Sequence, residues 1–139
     1  MDEDIITKGK KCIKQCIEKG VNEEIIKFTE EFAEYLNNKN EKGKKIGKKQ
    51  ELTTSQIRNI FGAIKKIEQK GFEEKEFMLL KPHLAYASTR GKQGVKDLAK
   101  VLNTGIDAVL QSSEKEKAFK NFFDFFESIL CYHKAAGGS

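Results

Sequence analysis

Cysteine and histidine, the residues that most often carry chemistry, are few in this chain. Its 139 residues include three cysteines and two histidines. Cys12 and Cys16 fall on the apolar stripe of a predicted helix, where a thiol acts as a small hydrophobic group. Cys131 and His133 are two residues apart on another predicted helix, so they point to different sides and make a poor nucleophile–base pair. Their spacing matches no common zinc site, and we expect no metal and no cofactor.

The carboxylates also lack a catalytic pattern. Asp124 and Glu127 are three residues apart on a predicted helix, but surface carboxylates often pair in this way and nothing in the sequence places these two in a cleft. Neither common type of glycine-rich phosphate-binding loop occurs. We therefore expect no catalytic residue and no small-molecule substrate. A small enzyme such as a nuclease would need paired acids in a metal-ligand pattern.

Basic residues are the remaining candidates for a functional site. The chain has 26 Lys and Arg against 21 Asp and Glu, a net charge of +5, and the stretches 52–67 and 77–96 contain no acid at all. Basic residues without interleaved acids leave a positive potential that suits a polyanion such as RNA. The alternative is a lysine-rich surface that only faces water.

Two residues in these acid-free stretches are the only arginines of the chain, Arg58 and Arg90. Arg58 and Lys65 are seven residues apart, so they share one face of a predicted helix. Arg90 falls in a predicted loop next to a glycine, where the backbone can approach a phosphate closely. The structural alternative for Arg58 is an ion pair with Glu51 or Glu68.

The elements that position these side chains are predicted to be helices. Apolar residues recur at helical spacing, and no segment sustains the alternation of a strand. We predict an all-α fold, a single-domain irregular bundle of about five to seven short helices. The predicted helices cover 3–19, 23–38, about 54–70 after a cap at Thr53 or Thr54, 73–88 in two pieces, 93–110 with a break at 103–105, and 114–135.

Proline interrupts the fourth predicted helix. Pro82 has no backbone amide to donate to the helix, and it disfavours the helical conformation of the residue before it. We therefore expect two short helices that meet at Lys81. A loop over 88–91 is expected to follow. The predicted core face consists of Leu79, Leu80, Leu84 and Ala85.

The last predicted helix is expected to be central to the core. Five of the ten phenylalanines lie between 119 and 126. Phe125 is expected to lie off the apolar face of this helix. His133 is expected to lie on that face, near the end of the helix. A phenylalanine cluster of this kind is far more often core than a platform for stacking bases.

The chain divides into a helical pair over 1–38, a Lys-rich flexible linker over 39–50 and a bundle core over 51–139. The linker alone has six lysines and one glutamate. Like-charge repulsion would extend it, and its length would permit exchange of the N-terminal helices between two copies. No apolar run approaches the roughly 20 residues of a membrane span, so we expect no membrane association. The acidic N-terminus and the low, odd cysteine count predict a cytoplasmic protein.

Three runs carry a resemblance to a known family. LTTSQIRNIFGAIKKIE (52–68), FMLLKPHLAYASTRG (77–91) and FKNFFDFFESILCYHKAAGG (119–138) resemble the small, Csm-type subunit of type III-A CRISPR–Cas interference complexes. The similarity spans about 52–138. Its specificity lies in the order of the three runs within a small helical chain.

The resemblance implies a non-catalytic subunit of an RNA-guided antiviral ribonucleoprotein. In that family, several copies stack and line the groove that holds the guide RNA paired with its target RNA. Four basic motif positions match, namely Arg58, Lys81, Arg90 and Lys134. Together with two lysines of the basic stretches, the predicted RNA contacts are Arg58, Lys65, Lys81, Arg90, Lys92 and Lys134.

The expected partners are therefore guide RNA, target RNA, other subunits of the effector complex and further copies of the chain, as a stack or a homodimer. The alternative is a helical protein–protein assembly module without direct nucleic-acid contact. In that case the basic surface meets an acidic protein patch.

Overall fold

The computed structural model of the protein describes residues 4–37 and 52–136, and these residues form seven α-helices and no strand. The prediction of an all-α bundle is confirmed. The helices are α1 Ile5–Lys19, α2 Glu23–Leu36, α3 Thr54–Lys70, α4 Glu74–Met78, α5 Leu80–Arg90, α6 Gln93–Gln111 and α7 Lys115–Ala135.

Short polar side chains start the first three helices. Asp4 accepts a hydrogen bond from the Ile6 amide, and Asn22 accepts one from the Ile25 amide at 2.9 Å. At α3, Thr53 forms a capping box with Gln56 in which each side chain accepts from the other residue's backbone amide. These bonds satisfy donors that a helix start leaves without an internal partner.

Helix α7 lies at the centre of the bundle and packs against α1, α2, α3 and α6. Its phenylalanines contact rings from several neighbours: Phe122 lies 5.3 Å from Phe77 between ring centroids, and Phe125 lies 6.3 Å from Phe28. The prediction that Phe125 lies off the core face is wrong, because it is fully buried. Helix α2 covers the side of α7 that a single apolar stripe would leave exposed.

The break before α5 falls at Leu79 and not at the predicted Lys81. Pro82 is the third residue of α5, where a backbone amide would have no partner inside the helix, so the ring is tolerated there. Leu80 and Leu84 are buried as predicted, whereas Leu79 is 57% exposed and Ala85 is also exposed.

Two predicted interruptions are also absent from the described residues. Helix α5 runs through Arg90, so 88–90 is helical and only Gly91 of the predicted loop lies outside a helix. Helix α6 is continuous over 103–105, where Gly105 lies against α1 and α7. A Cβ atom at Gly105 would lie 2.5 Å from Cδ1 of Ile13 and 2.9 Å from the ring of Phe122. This glycine therefore permits close helix packing and does not end the helix.

Three hydrogen bonds join the ends of α2, α3 and α7. The Leu52 amide donates to the Leu36 carbonyl at 2.9 Å, and the Asn37 side chain donates to the His133 carbonyl at 2.8 Å. His133 is buried, and its Nε2 donates to the Leu52 carbonyl at 2.6 Å. Residues 36 and 52 therefore lie side by side. The predicted flexible linker over 39–50 lies outside the described residues.

Helices α1 and α2 share one hydrophobic core with the rest of the bundle through α6 and α7. Across residues 4–37 and 52–136, no helix combines the length and the apolar composition that crossing a membrane requires.

The close packing at Gly105 yields a stability prediction. Gly105→Ala and Gly62→Ala both gain helix propensity, but a Cβ at Gly62 meets nothing within 4 Å. We expect Gly62→Ala to raise the free energy of unfolding by about 0.5–1 kcal/mol. Gly105→Ala should be less stable than Gly62→Ala by about 1–3 kcal/mol, because overpacking displaces buried side chains. Urea unfolding followed by circular dichroism measures both, and equal stabilisation by the two changes would contradict the packing described here.

Candidate nucleic-acid interface

Helix α3 presents the first pair of predicted contacts, Arg58 and Lys65. Both side chains are exposed, and Nζ of Lys65 lies 6.0 Å from the centroid of the Phe61 ring. Arg58 makes no ion pair with Glu68. Its other alternative partner, Glu51, lies outside the described residues. Among those residues, therefore, no carboxylate neutralises either cation.

The second pair lies where α5 ends and α6 begins. Arg90 occupies the last turn of α5, where a cation interacts favourably with the helix dipole. Its Nη1 donates to the Tyr86 hydroxyl at 2.7 Å, and its guanidinium lies 5.7 Å from the centre of the Tyr86 ring. Lys92 is exposed at the N-cap position of α6. The prediction of a loop at Arg90 is wrong, yet the guanidinium is exposed as that prediction required.

Lys81 differs from the other predicted contacts because it forms an ion pair with Asp107 of α6. The stretch 77–96 contains no acid, so the sequence predicts an uncompensated charge at this position. Packing of α5 against α6 supplies the carboxylate from outside the stretch. The charge of Lys81 is therefore compensated within the protein.

Lys134 is exposed at the end of α7. It follows His133, whose ring is bonded to the Leu52 carbonyl, so Lys134 lies at the end of the bundle where α3 begins. Asn37 and Leu52 are the described residues nearest to the Lys-rich segment 39–50, which carries a net charge of +5 in the sequence, and both lie at this same end.

The six predicted contacts do not form one continuous patch. With 3.6 residues per turn, Arg58 points about 160° away from Gln56 around the axis of α3. Gln56 faces α5, where it shares a cleft with Arg90. The α3 pair (Arg58 and Lys65) and the α5–α6 pair (Arg90 and Lys92) are therefore on different sides of α3.

A cleft of about 360 Å³ lies between α3 and α5. Buried side chains of Ile60 and Val95 contribute to its apolar part. No carboxylate of the described residues lines it. The polar side chains around it are Gln56, Asn59, His83, Tyr86 and Arg90.

Sequence reasoning missed this cleft because its two walls are nearly thirty residues apart in the chain. The one available signal was Tyr86, an aromatic residue inside a basic stretch.

The cysteines and acids serve the core or the surface. Burial is the main cause that raises the pKa of Cys12 to about 11 and that of Cys16 to about 12, so both thiols stay protonated at neutral pH. Asp97 is buried and accepts hydrogen bonds from Tyr35 at 2.6 Å and Gln93 at 2.8 Å, an arrangement that stabilises the fold. No cluster of three or more potential metal ligands occurs in the part of the chain that the structure describes.

Comparison with known families identifies the chain. The family model for Csm2 Type III-A matches residues 22–139. The chain therefore belongs to the Csm2 family and is a subunit of a type III-A CRISPR effector complex, with the other subunits of that complex as its partners. The match begins at α2, thirty residues before the first of the three runs that carry the resemblance in the sequence. Neither the curated proteins nor the solved structures include a match to this chain.

Differences in thiol burial predict selective labelling. Cys131 is exposed, whereas Cys12 and Cys16 are buried with raised pKa values. At about pH 8, a thiol-reactive chromophore should label one thiol per native chain rapidly and the other two only after unfolding, because the thiolate is the reactive form. Cys131→Ser should remove the rapid phase. Two or three rapidly reacting thiols in the native chain would contradict the burial of the α1 cysteines.

Proposed function

We propose that this chain is a non-catalytic subunit that contacts the backbones of guide RNA and target RNA without reading their sequence. This proposal rests on four exposed cations in α3 and around the α5–α6 boundary. None of them forms an ion pair with a carboxylate of the described residues. They are Arg58, Lys65, Arg90 and Lys92. Cations of this kind bind phosphates and release counterions, a contribution to affinity that does not depend on base identity.

Lys134, at the end of α7, adds a further exposed cation close to the start of α3. The ion pair with Asp107 makes Lys81 the weakest of the six predicted contacts, because RNA would have to compete with a carboxylate. We therefore propose that RNA binding depends on Arg58, Lys65, Arg90, Lys92 and Lys134 more than on Lys81.

Several copies are proposed to stack along one guide–target duplex in the cytoplasm. Because each copy offers only a few proposed phosphate contacts, a single chain should bind RNA weakly. Contacts repeated along one RNA raise the total affinity by multivalency. Met78 and Leu79 are 46% and 57% exposed at the α4–α5 boundary. Adjacent exposed apolar side chains of this size support a protein contact here, with a neighbouring subunit or a second copy.

The alternative function is an assembly module without RNA contact, and the same exposed apolar residues favour it. The two functions differ in their salt dependence. For phosphate binding, the logarithm of the affinity falls linearly with the logarithm of the salt concentration, with a slope of about 0.7–0.9 per contact. If the chain is only an assembly module, it should not bind free RNA.

The test is a double variant, Arg58→Ala with Arg90→Ala, measured by fluorescence anisotropy with an RNA duplex at several salt concentrations. We expect weaker binding to RNA of every sequence and a salt slope reduced by about one to two units, because two phosphate contacts are lost. The melting temperature should stay nearly unchanged, since exposed substitutions shift stability by about 0.5 kcal/mol or less.

A matched control removes the same amount of charge elsewhere. Lys14→Ala with Lys27→Ala changes two exposed lysines of α1 and α2 that pair with no described carboxylate. This control should retain the wild-type slope. An unchanged slope in the arginine variant, or equal effects of the two variants, would contradict the proposed phosphate contacts. Unfolding of the arginine variant would show that the arginines are structural.

A further inference from the structure

We propose that the cleft between α3 and α5 binds one unpaired RNA nucleotide, with its base stacked on Tyr86 and its phosphate held by Arg90. This inference rests on the proposed RNA binding and extends it, because backbone contact alone needs no site for a base. It concerns the cleft defined by Gln56, Asn59 and Ile60 of α3 and by His83, Tyr86 and Arg90 of α5.

The aromatic ring of Tyr86 is available for stacking. Its relative exposure is 62%, the highest among the large hydrophobic side chains of the described residues. No other aromatic ring in that part of the chain packs against it. The hydrogen bond of 2.7 Å from Arg90 holds its hydroxyl, so little rotamer freedom remains to be lost when a base stacks. An exposed but immobilised ring is the arrangement that base stacking requires.

The composition of the cleft fits a nucleobase. Ala87 and the exposed ring of Tyr86 give the cleft an accessible apolar surface, which a flat heterocycle can contact, whereas Ile60 and Val95 also line it but are nearly fully buried. Asn59 and His83 supply donors and acceptors for the polar edge of a base. The volume of about 360 Å³ lies at the small end of the range for ligand sites. A single nucleotide is therefore a better fit than a longer segment.

Charge selects a nucleotide over a neutral aromatic ligand. No described carboxylate lines the cleft, and Arg90 lies at its boundary with Lys92 two residues further along the chain. A guanidinium binds phosphate oxygens in a bidentate manner. The base must be unpaired, because a base within a duplex is already stacked and its pairing edge is occupied. Stacking tolerates any base, which is compatible with a complex that accepts any guide.

The experiment compares two RNA duplexes with the full chain. One duplex carries 2-aminopurine as a single unpaired bulge, and the other carries it fully paired. Stacking on Tyr86 should quench the fluorescence of the bulged base, and the wild-type chain should bind the bulged duplex more tightly. Tyr86→Ala should abolish the quenching and weaken binding of the bulged duplex by roughly five- to a hundredfold, with the paired duplex unaffected.

Two control variants separate stacking from other effects. Tyr86→Phe keeps the ring but loses the hydroxyl that Arg90 holds, so it should retain the quenching and bind the bulged duplex less tightly than the wild type but more tightly than Tyr86→Ala. Lys65→Ala lies outside the cleft and should weaken binding of both duplexes equally. Because Tyr86 is exposed, all these variants should melt at nearly the wild-type temperature.

The outcomes distinguish the two proposals. Salt-dependent binding of both duplexes, with no bulge preference and no effect of Tyr86→Ala, would overturn the nucleotide site and leave the proposed backbone contacts intact. No binding of either duplex would overturn both. Displacement of the bulged duplex by an equimolar nucleoside monophosphate would overturn RNA as the occupant in favour of a free nucleotide, whereas resistance to that competitor supports RNA.

Discussion

Burial of the wide apolar face of α7 is the constraint on which the rest of the structure depends. Phenylalanines on opposite sides of this helix contact α2 through Phe28 and α3 through Phe61. Aromatic side chains bury large apolar areas, so each surrounding helix gains stability by docking its apolar stripe on α7. The surrounding helices then turn their charged faces outward. The faces that α1, α2, α3 and α6 turn toward α7 therefore determine which of their residues form the surface of the bundle.

That arrangement separates charge around the bundle. The exposed side of α2 carries glutamates, including Glu24, Glu30 and Glu31. Helix α3 packs on another side of α7 and exposes Arg58, Lys65 and Lys66 with no acid before Glu68. A partner with phosphate groups would be attracted to α3 and repelled from α2. We infer from this difference that α3 faces the RNA and that α2 is turned away from it.

Local signals in the sequence were sufficient for helix starts and for most of the core. The cap at Thr53, one of the two threonines predicted for this position, acts over three residues, so a local pattern in the sequence is enough to predict it. Interactions between distant segments account for the errors. Phe125 is buried because α2 covers it, and Gly105 continues a helix because two neighbours approach it closely.

The candidate site divides in the same way. The exposure of Arg58, Lys65, Arg90, Lys92 and Lys134 agrees with sequence expectations, because acid-free stretches and helix ends are local features. The pairing of Lys81 with Asp107 needs the packing of α5 on α6. The cleft beside Tyr86 likewise needs α3 and α5 to meet, and no pattern within either helix encodes that contact.

The most direct test of the central claim is to map the RNA-binding surface by titrating the ¹⁵N-labelled full chain with an RNA duplex and following backbone amide shifts. We expect the largest shifts to cluster in α3 around Arg58 and Lys65 and at the α5–α6 boundary around Arg90 and Lys92, with α2 nearly unaffected. Shifts concentrated in α2, or no shifts at RNA concentrations well above that of the protein at low salt, would contradict that claim.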